Sequence, residues 1–283
     1  PVTSLSQVEA TRAQALGGAT SALGGDAALV WLNPAASGKM TSSSLTLAGQ
    51  RGYFGDLIGQ GLGVIPLGIA VVSVGFSTYN SGVVTLNALD GTTRQVIGHQ
   101  DIMGMVGLSG ALSAGVDAGV SVKGVRTKLF EEVGTTAVAL DGGIQIRLAP
   151  TLKAGVVFQN LGTKLQYEAD QISLPAAIRS GLALGWRFKG IADGSSARDA
   201  LIVMADAEYP LEEKHPVWRG GVEYQWRGVL ALRAGGRLSS REELTNYAAG
   251  LGLMVRQFRL DYSFQLGSTP ADSPQALSLT IEL

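Results

Sequence analysis

The chain has two histidines, and His99 has Asp101 two residues on, with Ser109 further along. A serine nucleophile, an imidazole base and a carboxylate that orients it would make a hydrolytic site. All three fall on one predicted strand, where Ser109 lies too far along to meet the imidazole, so His99 reads as a rim residue. His215, between Lys214 and Pro216, reads as a loop residue. The pairs Glu131-Glu132, Glu212-Glu213 and Glu242-Glu243 offer oxygens to a hard cation, but none has the regular spacing of a calcium loop. They read as solvated loop charges. Without cysteine there is no thiolate ligand or nucleophile. Gly61-Leu62-Gly63 precedes no helix, so a strand turn accounts for its glycines better than a phosphate cradle does. These residues predict no catalytic site, no metal and no cofactor.

The elements around them are strands. The 283 residues suffice for two modest domains or one large all-β unit. Charged residues make up 16% of the chain, against about a quarter in an ordinary soluble domain. Such a surface needs a cover other than water. The net charge of −1 provides no basic field for phosphates, so no nucleic-acid partner is expected. Period-two alternation recurs along the chain. Val116, Ala118, Val120 and Val122 oppose Asp117, Gly119, Ser121 and Lys123; Leu152, Ala154, Val156 and Phe158 oppose Lys153, Gly155, Val157 and Gln159. Trp218, Val222, Tyr224 and Trp226 oppose Arg219, Glu223 and Gln225, and Phe258, Leu260, Tyr262 and Phe264 oppose Arg259, Asp261 and Gln265.

A soluble β-sandwich also alternates. Here one parity is almost free of charge, whereas the other carries glycine and both signs, as a lipid-facing wall around a wet or filled lumen requires. Connections alternate short (Pro66–Gly68, Ser113–Gly115, Ala149-Pro150, Arg227-Gly228, Arg256-Gln257) with long (Tyr79–Gln100, Phe130–Thr135, Asn160–Pro175, Pro210–Pro216, Ser239–Asn246, Gly267–Pro274), and one, Lys189–Asp199, is too long for its place. Aromatics gather at predicted strand ends: Trp186, Phe188, Trp226 and Phe258 at the short-turn rim, Tyr209, Trp218, Tyr247 and Phe264 at the other. The uncharged stretch Leu57–Leu89 is too rich in glycine and valine for a helical span and reads as two strands turning at Pro66. The fold class is therefore all-β, a transmembrane antiparallel barrel of about fourteen strands. The opening, Pro1-Val2-Thr3-Ser4, carries no leader and suits a processed exported chain or a cytosolic one equally.

Residues 1–40 do not alternate. Small residues and glycines dominate, with a short helix expected at Ala27–Leu32 capped by Asp26, then the turn Asn33-Pro34-Ala35. An apolar segment that is not a strand fits best inside the barrel. Two units are expected: a hatch over residues 1–41 and a barrel over 42–283. Arg12 and Asp26 are expected to pin the hatch by pairing with inward residues such as Asp117, Asp141, Arg179, Asp206, Arg219 or Arg233.

The run Arg12-Ala13-Gln14-Ala15-Leu16-Gly17-Gly18-Ala19, the pair Asp26-Ala27 and the step Asn33-Pro34-Ala35 resemble the start of FadL-like outer-membrane barrels, and most nearly the PorV/PorQ-like group. The likeness continues in Gln159-Asn160-Leu161-Gly162 with Leu174-Pro175, in Gly221-Val222-Glu223-Tyr224 with Ala231-Leu232-Arg233-Ala234-Gly235, and in Leu260-Asp261-Tyr262-Ser263-Phe264. It departs in its final Leu283, where such barrels end in an aromatic residue, and in its shorter loops. The resemblance implies fourteen strands, a lumenal hatch, the outer membrane of a Gram-negative bacterium and a removed signal peptide.

Two functions follow from that likeness. PorV-like proteins capture partners in type IX secretion, and FadL-like proteins pass hydrophobic small molecules. Short loops leave little room for an external ligand basin, so the first expectation is a partner-binding component of an envelope export or assembly machine, in contact with outer-membrane lipid and with envelope or secreted proteins. Its contacts are expected on the connection carrying Val83, Val84, Leu86, Leu89, Val96 and Ile97, whose apolar content is high for a loop in water. The alternative is a passive channel with a lipid-like ligand held in the lumen near Trp31 and Leu32.

Overall fold

A computed structural model describes residues 5–6, 10–52, 55–87, 92–130, 133–167, 170–189, 198–239, 246–266 and 273–283. The chain forms β1 (Ser44–Arg51), β2 (Leu57–Leu67), β3 (Ala70–Asn80), β4 (Val83–Asn87), β5 (Thr93–Ile97), β6 (His99–Ser113), β7 (Val116–Leu129), β8 (Val133–Arg147) and β9 (Leu152–Gly162). Then follow β10 (Leu165–Tyr167), β11 (Asp170–Ile172), β12 (Ala177–Lys189), β13 (Arg198–Pro210), β14 (Val217–Trp226), β15 (Leu230–Ser239), β16 (Asn246–Val255), β17 (Phe258–Leu266) and β18 (Gln275–Glu282). Fourteen of these, all but the small hairpins β4–β5 and β10–β11, close into one antiparallel barrel in which β1 pairs with β18. Closure leaves no unpaired edge, the condition for strands to cross lipid. No helix among the described residues is long and apolar enough to cross a membrane, and Leu57–Asn87 runs as strands.

Register turns the alternation into two surfaces, because a slip of one residue would exchange them. Leu47, Val106, Val122, Leu140, Val156, Leu182, Val222 and Leu251 point outward and lie exposed. Among the described strand residues, outward charges occur only near strand ends, as at Arg51, Arg126 and Lys128. A lysine or arginine at the midplane of such a belt costs about 2–4 kcal/mol. The expected long connection Phe130–Thr135 is short instead: β7 and β8 pair up to Leu129 and Val133, leaving only residues 130–132 between them.

Inside lies the amino-terminal segment. It comprises α1 (Thr11–Ala15) and two 3-10 turns, Ala27–Trp31 and Pro34–Ser37. Asp26 accepts from the Ala28 amide at 3.1 Å and Asn33 from the Ala35 amide at 2.9 Å, so each turn is capped by the side chain before it. The helix expected at Ala27–Leu32 is thus a tighter turn. Ala13, Ala15, Leu16, Leu29 and Val30 are fully buried, and the segment touches inward residues around the whole wall.

The lumen has two halves. Trp31 and Val30 pack with Ile58, Leu62, Met103, Met105 and Val125 in an apolar half. Most of the buried charges lie across from it on β12–β17, Arg179, Asp206, Glu208, Arg219, Glu223, Arg233, Arg259 and Asp261, while Asp101, Lys123 and Asp141 stand on β6–β8 beside the apolar cluster.

Candidate functional site

The wall holds the segment by backbone fit first. The Leu16 backbone lies against Gly221 and Gly235, the Pro34 backbone against Gly119, and Ser21 against Gly155, so that a Cβ on any of these glycines would strike main chain. Gly17 and Gly18 turn at φ 62° and 79°, which glycine adopts without steric cost. Polar bonds then fix the register. Asp206 Oδ2 accepts from the amides of Thr20 and Ser21, both at 2.9 Å, and from Ser21 Oγ at 2.7 Å. Gln145 Nε2 donates to Ser21 O at 3.0 Å, Gln159 Nε2 to Leu32 O at 2.7 Å, and Asn33 Nδ2 to Ser21 O at 2.8 Å. Arg179 donates to the Gly18 carbonyl.

Arg12 and Asp26 complete a ring of alternating charge. Arg12 bonds Glu223 at 2.7 and 2.8 Å and Asp26 at 2.9 Å; Arg259 meets Asp26 at 2.6 Å and Asp261 at 2.9 Å; Arg233 meets Asp261 at 2.7 Å and Glu223 at 2.6 Å. Three guanidinium groups and three carboxylates close on themselves, two from the segment and four from β14, β15 and β17. Gly252 makes room for the Arg233–Asp261 bridge across β16, since a Cβ there would meet both side chains. Burial alone would raise the Asp26 pKa, but Arg259 and Arg12 outweigh it and hold the carboxyl well below the usual range. For Arg12, burial opposes the charge and Glu223 and Asp26 restore it, so the guanidinium stays protonated.

The expected partners of Arg12 and Asp26 were Asp117, Asp141, Arg179, Asp206, Arg219 and Arg233, and none of these contacts them directly. Strand register decides the matter. Asp117 sits at the short-turn mouth with Lys39 at 2.8 Å, Asp141 pairs with Lys123, Asp206 serves the backbone of Thr20 and Ser21, and Arg219 meets Glu208 at 2.7 Å. Arg233 joins only through Glu223 and Asp261. Glu223, Arg259 and Asp261, on the inward parity of their strands, are the members that sequence reasoning did not choose.

Above the segment, towards the longer connections, a cavity of about 420 Å³ opens between it and the wall. Trp31, Leu32, Leu5 and Met103 give it an apolar floor, while Arg219, Arg237 and Glu208 line its charged side. Asn160 closes one flank. It sits at a register break where Leu140 pairs with Leu161 but Gly142 with Phe158, with φ 56°, its amide bonded to Asp141 Oδ1 at 2.8 Å and its side chain donating to Pro175 O at 3.1 Å.

The other predicted residues lie elsewhere. Val83, Val84 and Leu86 are exposed on the β4–β5 hairpin, Val96 is buried and Ile97 half-buried. Leu89, Glu131-Glu132 and Glu242-Glu243 lie outside the described residues. His99 Nε2 is 2.8 Å from Asp101 Oδ1, whereas Ser109, ten residues along β6 and so roughly 33 Å away, bonds Ser37. Among the described residues no group of His, Asp or Glu is arranged to hold a metal.

No family model and no curated protein matches the sequence. Solved structures do. The chain is similar to the Ralstonia pickettii toluene transporter TbuX, with TM-score 0.63 and 12% identity over 98% of each chain. It is similar to the CymD monoaromatic hydrocarbon channel, with TM-score 0.66 and 14% identity over 97% of this chain and 96% of that one. A Pseudomonas aeruginosa FadL homologue follows at TM-score 0.58 and 11% identity, over 96% of this chain and 97% of that one. At such identities the likeness is one of fold, a closed fourteen-stranded antiparallel barrel.

Proposed function

We propose that this chain is an outer-membrane channel of the FadL-like type that passes hydrophobic small molecules, with residues 1–41 as its hatch. The observation that carries this reading is the cavity of about 420 Å³ between segment and wall, with an apolar floor formed by Trp31, Leu32, Leu5 and Met103. A solute leaving water gains from burial on that floor, and the outward belt, uncharged between the strand ends, suits a lipid setting in which such solutes partition. Two of the neighbours named above are described as a toluene transporter and a monoaromatic hydrocarbon channel, which favours this class of cargo.

The order of the two expectations thereby reverses. The partner-binding role, with its PorV/PorQ-like affinity and secretion machinery, rests on the exposed apolar residues Val83, Val84 and Leu86 of one hairpin, and no neighbour named here is described as a secretion component.

The test is uptake of radiolabelled toluene into proteoliposomes or into cells lacking their own channels. Uptake that depends on the barrel and survives deletion of residues 83–97 supports the channel. A barrel that moves no hydrocarbon, yet loses a co-purifying envelope protein on that deletion, would return the partner role to first place.

A further inference from the structure

At the short-turn mouth of the barrel, Arg147 of β8 and Lys153 of β9 are directly opposite each other in the ladder, both on the lumenal parity. Like charges facing across a strand pair repel. Neither side chain makes a hydrogen bond or ion pair among the described residues, and the nearest carboxylate, Asp117, is held by Lys39 at 2.8 Å. Lys39, Arg147, Lys153 and Asp117 line one cavity of about 120 Å³, well above the roughly 10–15 Å³ that a single water needs. Three cations thus face one carboxylate, which the first of them already engages. The roof of the cavity is the hatch itself, at Gly24, Gly25 and Ala36.

We propose that this mouth holds a binding site for a small oxyanion, in the first instance a phosphate group, between Lys153 and Arg147 on the wall and Lys39 at the end of the hatch. The anion relieves the repulsion across the β8–β9 ladder and accepts charge-assisted hydrogen bonds from all three cations. It also ties the turn at Gly24 and Gly25 to the wall, so occupancy steadies the hatch from the side opposite the hydrocarbon cavity. The group can come from free phosphate or from the headgroup of a phospholipid at the mouth. The proposal does not depend on what the barrel transports.

The experiment is thermal unfolding of the full-length purified barrel in zwitterionic detergent, titrated with sodium phosphate against sodium chloride at equal ionic strength. Wild type is expected to gain Tm with phosphate, saturably and beyond the effect of chloride. Lys153→Gln is expected to start above wild type without phosphate, because the repulsion is gone, and to need about tenfold more phosphate for the same response. Arg147→Gln repeats the measurement should the first variant fold poorly. Nanodiscs separate the sources. Stabilisation by phosphatidylglycerol over phosphatidylcholine that Lys153→Gln loses identifies a headgroup, whereas an equal phosphate response in both discs identifies the free anion. A wild type that responds to phosphate and chloride alike, or variants whose phosphate response is unchanged, would overturn the site.

Discussion

Arg12 of the hatch and Glu223 of β14 stand 211 residues apart and meet through two parallel hydrogen bonds of 2.8 and 2.7 Å. Glu223 is buried and Arg12 mostly so, and each partner is shared onward, Arg12 with Asp26 and Glu223 with Arg233. Desolvation makes an isolated buried pair a weak source of stability, but removing one member leaves charge without compensation. Here removing any single member leaves the ring with a net charge.

Arg12→Ala is therefore expected to loosen the hatch while the barrel stays folded. It leaves Glu223 with Arg233 and Asp26 with Arg259, at a cost on the order of 3–5 kcal/mol if nothing rearranges. Arg12→Lys restores the charge but not the fork that spans Glu223 and Asp26, and is expected to fall between. Limited proteolysis of residues 10–40 and single-channel conductance in planar bilayers measure both variants. Conductance and cleavage equal to wild type in Arg12→Ala would show that the ring does not hold the hatch.

Acid acts on the same ring through Asp26. Its folded pKa lies below its unfolded value, so its contribution is complete above the ordinary aspartate pKa of about 3.9 and is lost as pH falls through the lower folded value. Hatch protection from protease is expected to stay flat between pH 8 and 5 and to decline only below about pH 4. Asp26→Asn should give a weaker hatch whose remaining acid sensitivity is smaller. Loss of protection already near pH 6 would assign the anchoring to another group.

Glycines on the two faces of the wall should behave oppositely. A Cβ at Gly119 or Gly155 meets hatch backbone, whereas one at Gly104, Gly124 or Gly142 meets nothing within 4 Å. Alanine at the first two is expected to cost about 1–3 kcal/mol by overpacking, and at the other three to be close to neutral. Refolding yield, read from the heat-modifiable band on a gel, ranks them. The contrast also bears on arginine scanning: Arg at Val156, Leu184 or Leu260 should block insertion from the lipid side. Arg at Gly155 is not the permissive inward control that its parity suggests, since Ser21 fills the space it would take.

Alternation made the wall legible because lipid tolerates no charge on one parity, and that constraint writes itself into every strand. The sequence of Leu57–Leu89 carries no charge on either parity, and periodicity could not assign its inner face. The reason is that Ile58 and Leu62 face Trp31 beside the uncharged Gln60, Ser73 and Ser77, so the lumen there carries no charge to mark it. The cap at Asn33 was readable from local rules, since Pro34 dictates the turn. The partners of Arg12 were not, because register across closed strands decides which inward acid stands at its height. Glu223 and Asp206 both lie on the inward parity of neighbouring strands, and nothing local separates an ion-pair partner from a backbone cap. Asn160 was visible only as part of a motif, and its task, kinking β9 beside the cavity, belongs to a register break that alternation does not reveal.

Trp31 is the residue on which the channel reading turns. It is almost wholly buried, packs edgewise over Gly75 of β3, and supplies the floor of the cavity above the hatch. Trp31→Ala removes a large apolar surface and is expected to cost about 3–5 kcal/mol in hatch packing, so a change in uptake alone would be ambiguous. Trp31→Phe keeps the ring and most of the packing while changing the shape of the floor. For a channel that binds hydrocarbon here, Trp31→Phe should keep the hatch as protease-resistant as wild type and shift the half-saturation for toluene uptake several-fold. Tryptophan fluorescence of the wild type should change on titration with toluene, by an amount that Trp31→Phe loses. If the uptake of Trp31→Phe and its fluorescence change both match wild type, the solute does not touch this floor, and the cavity is only a gap left by packing.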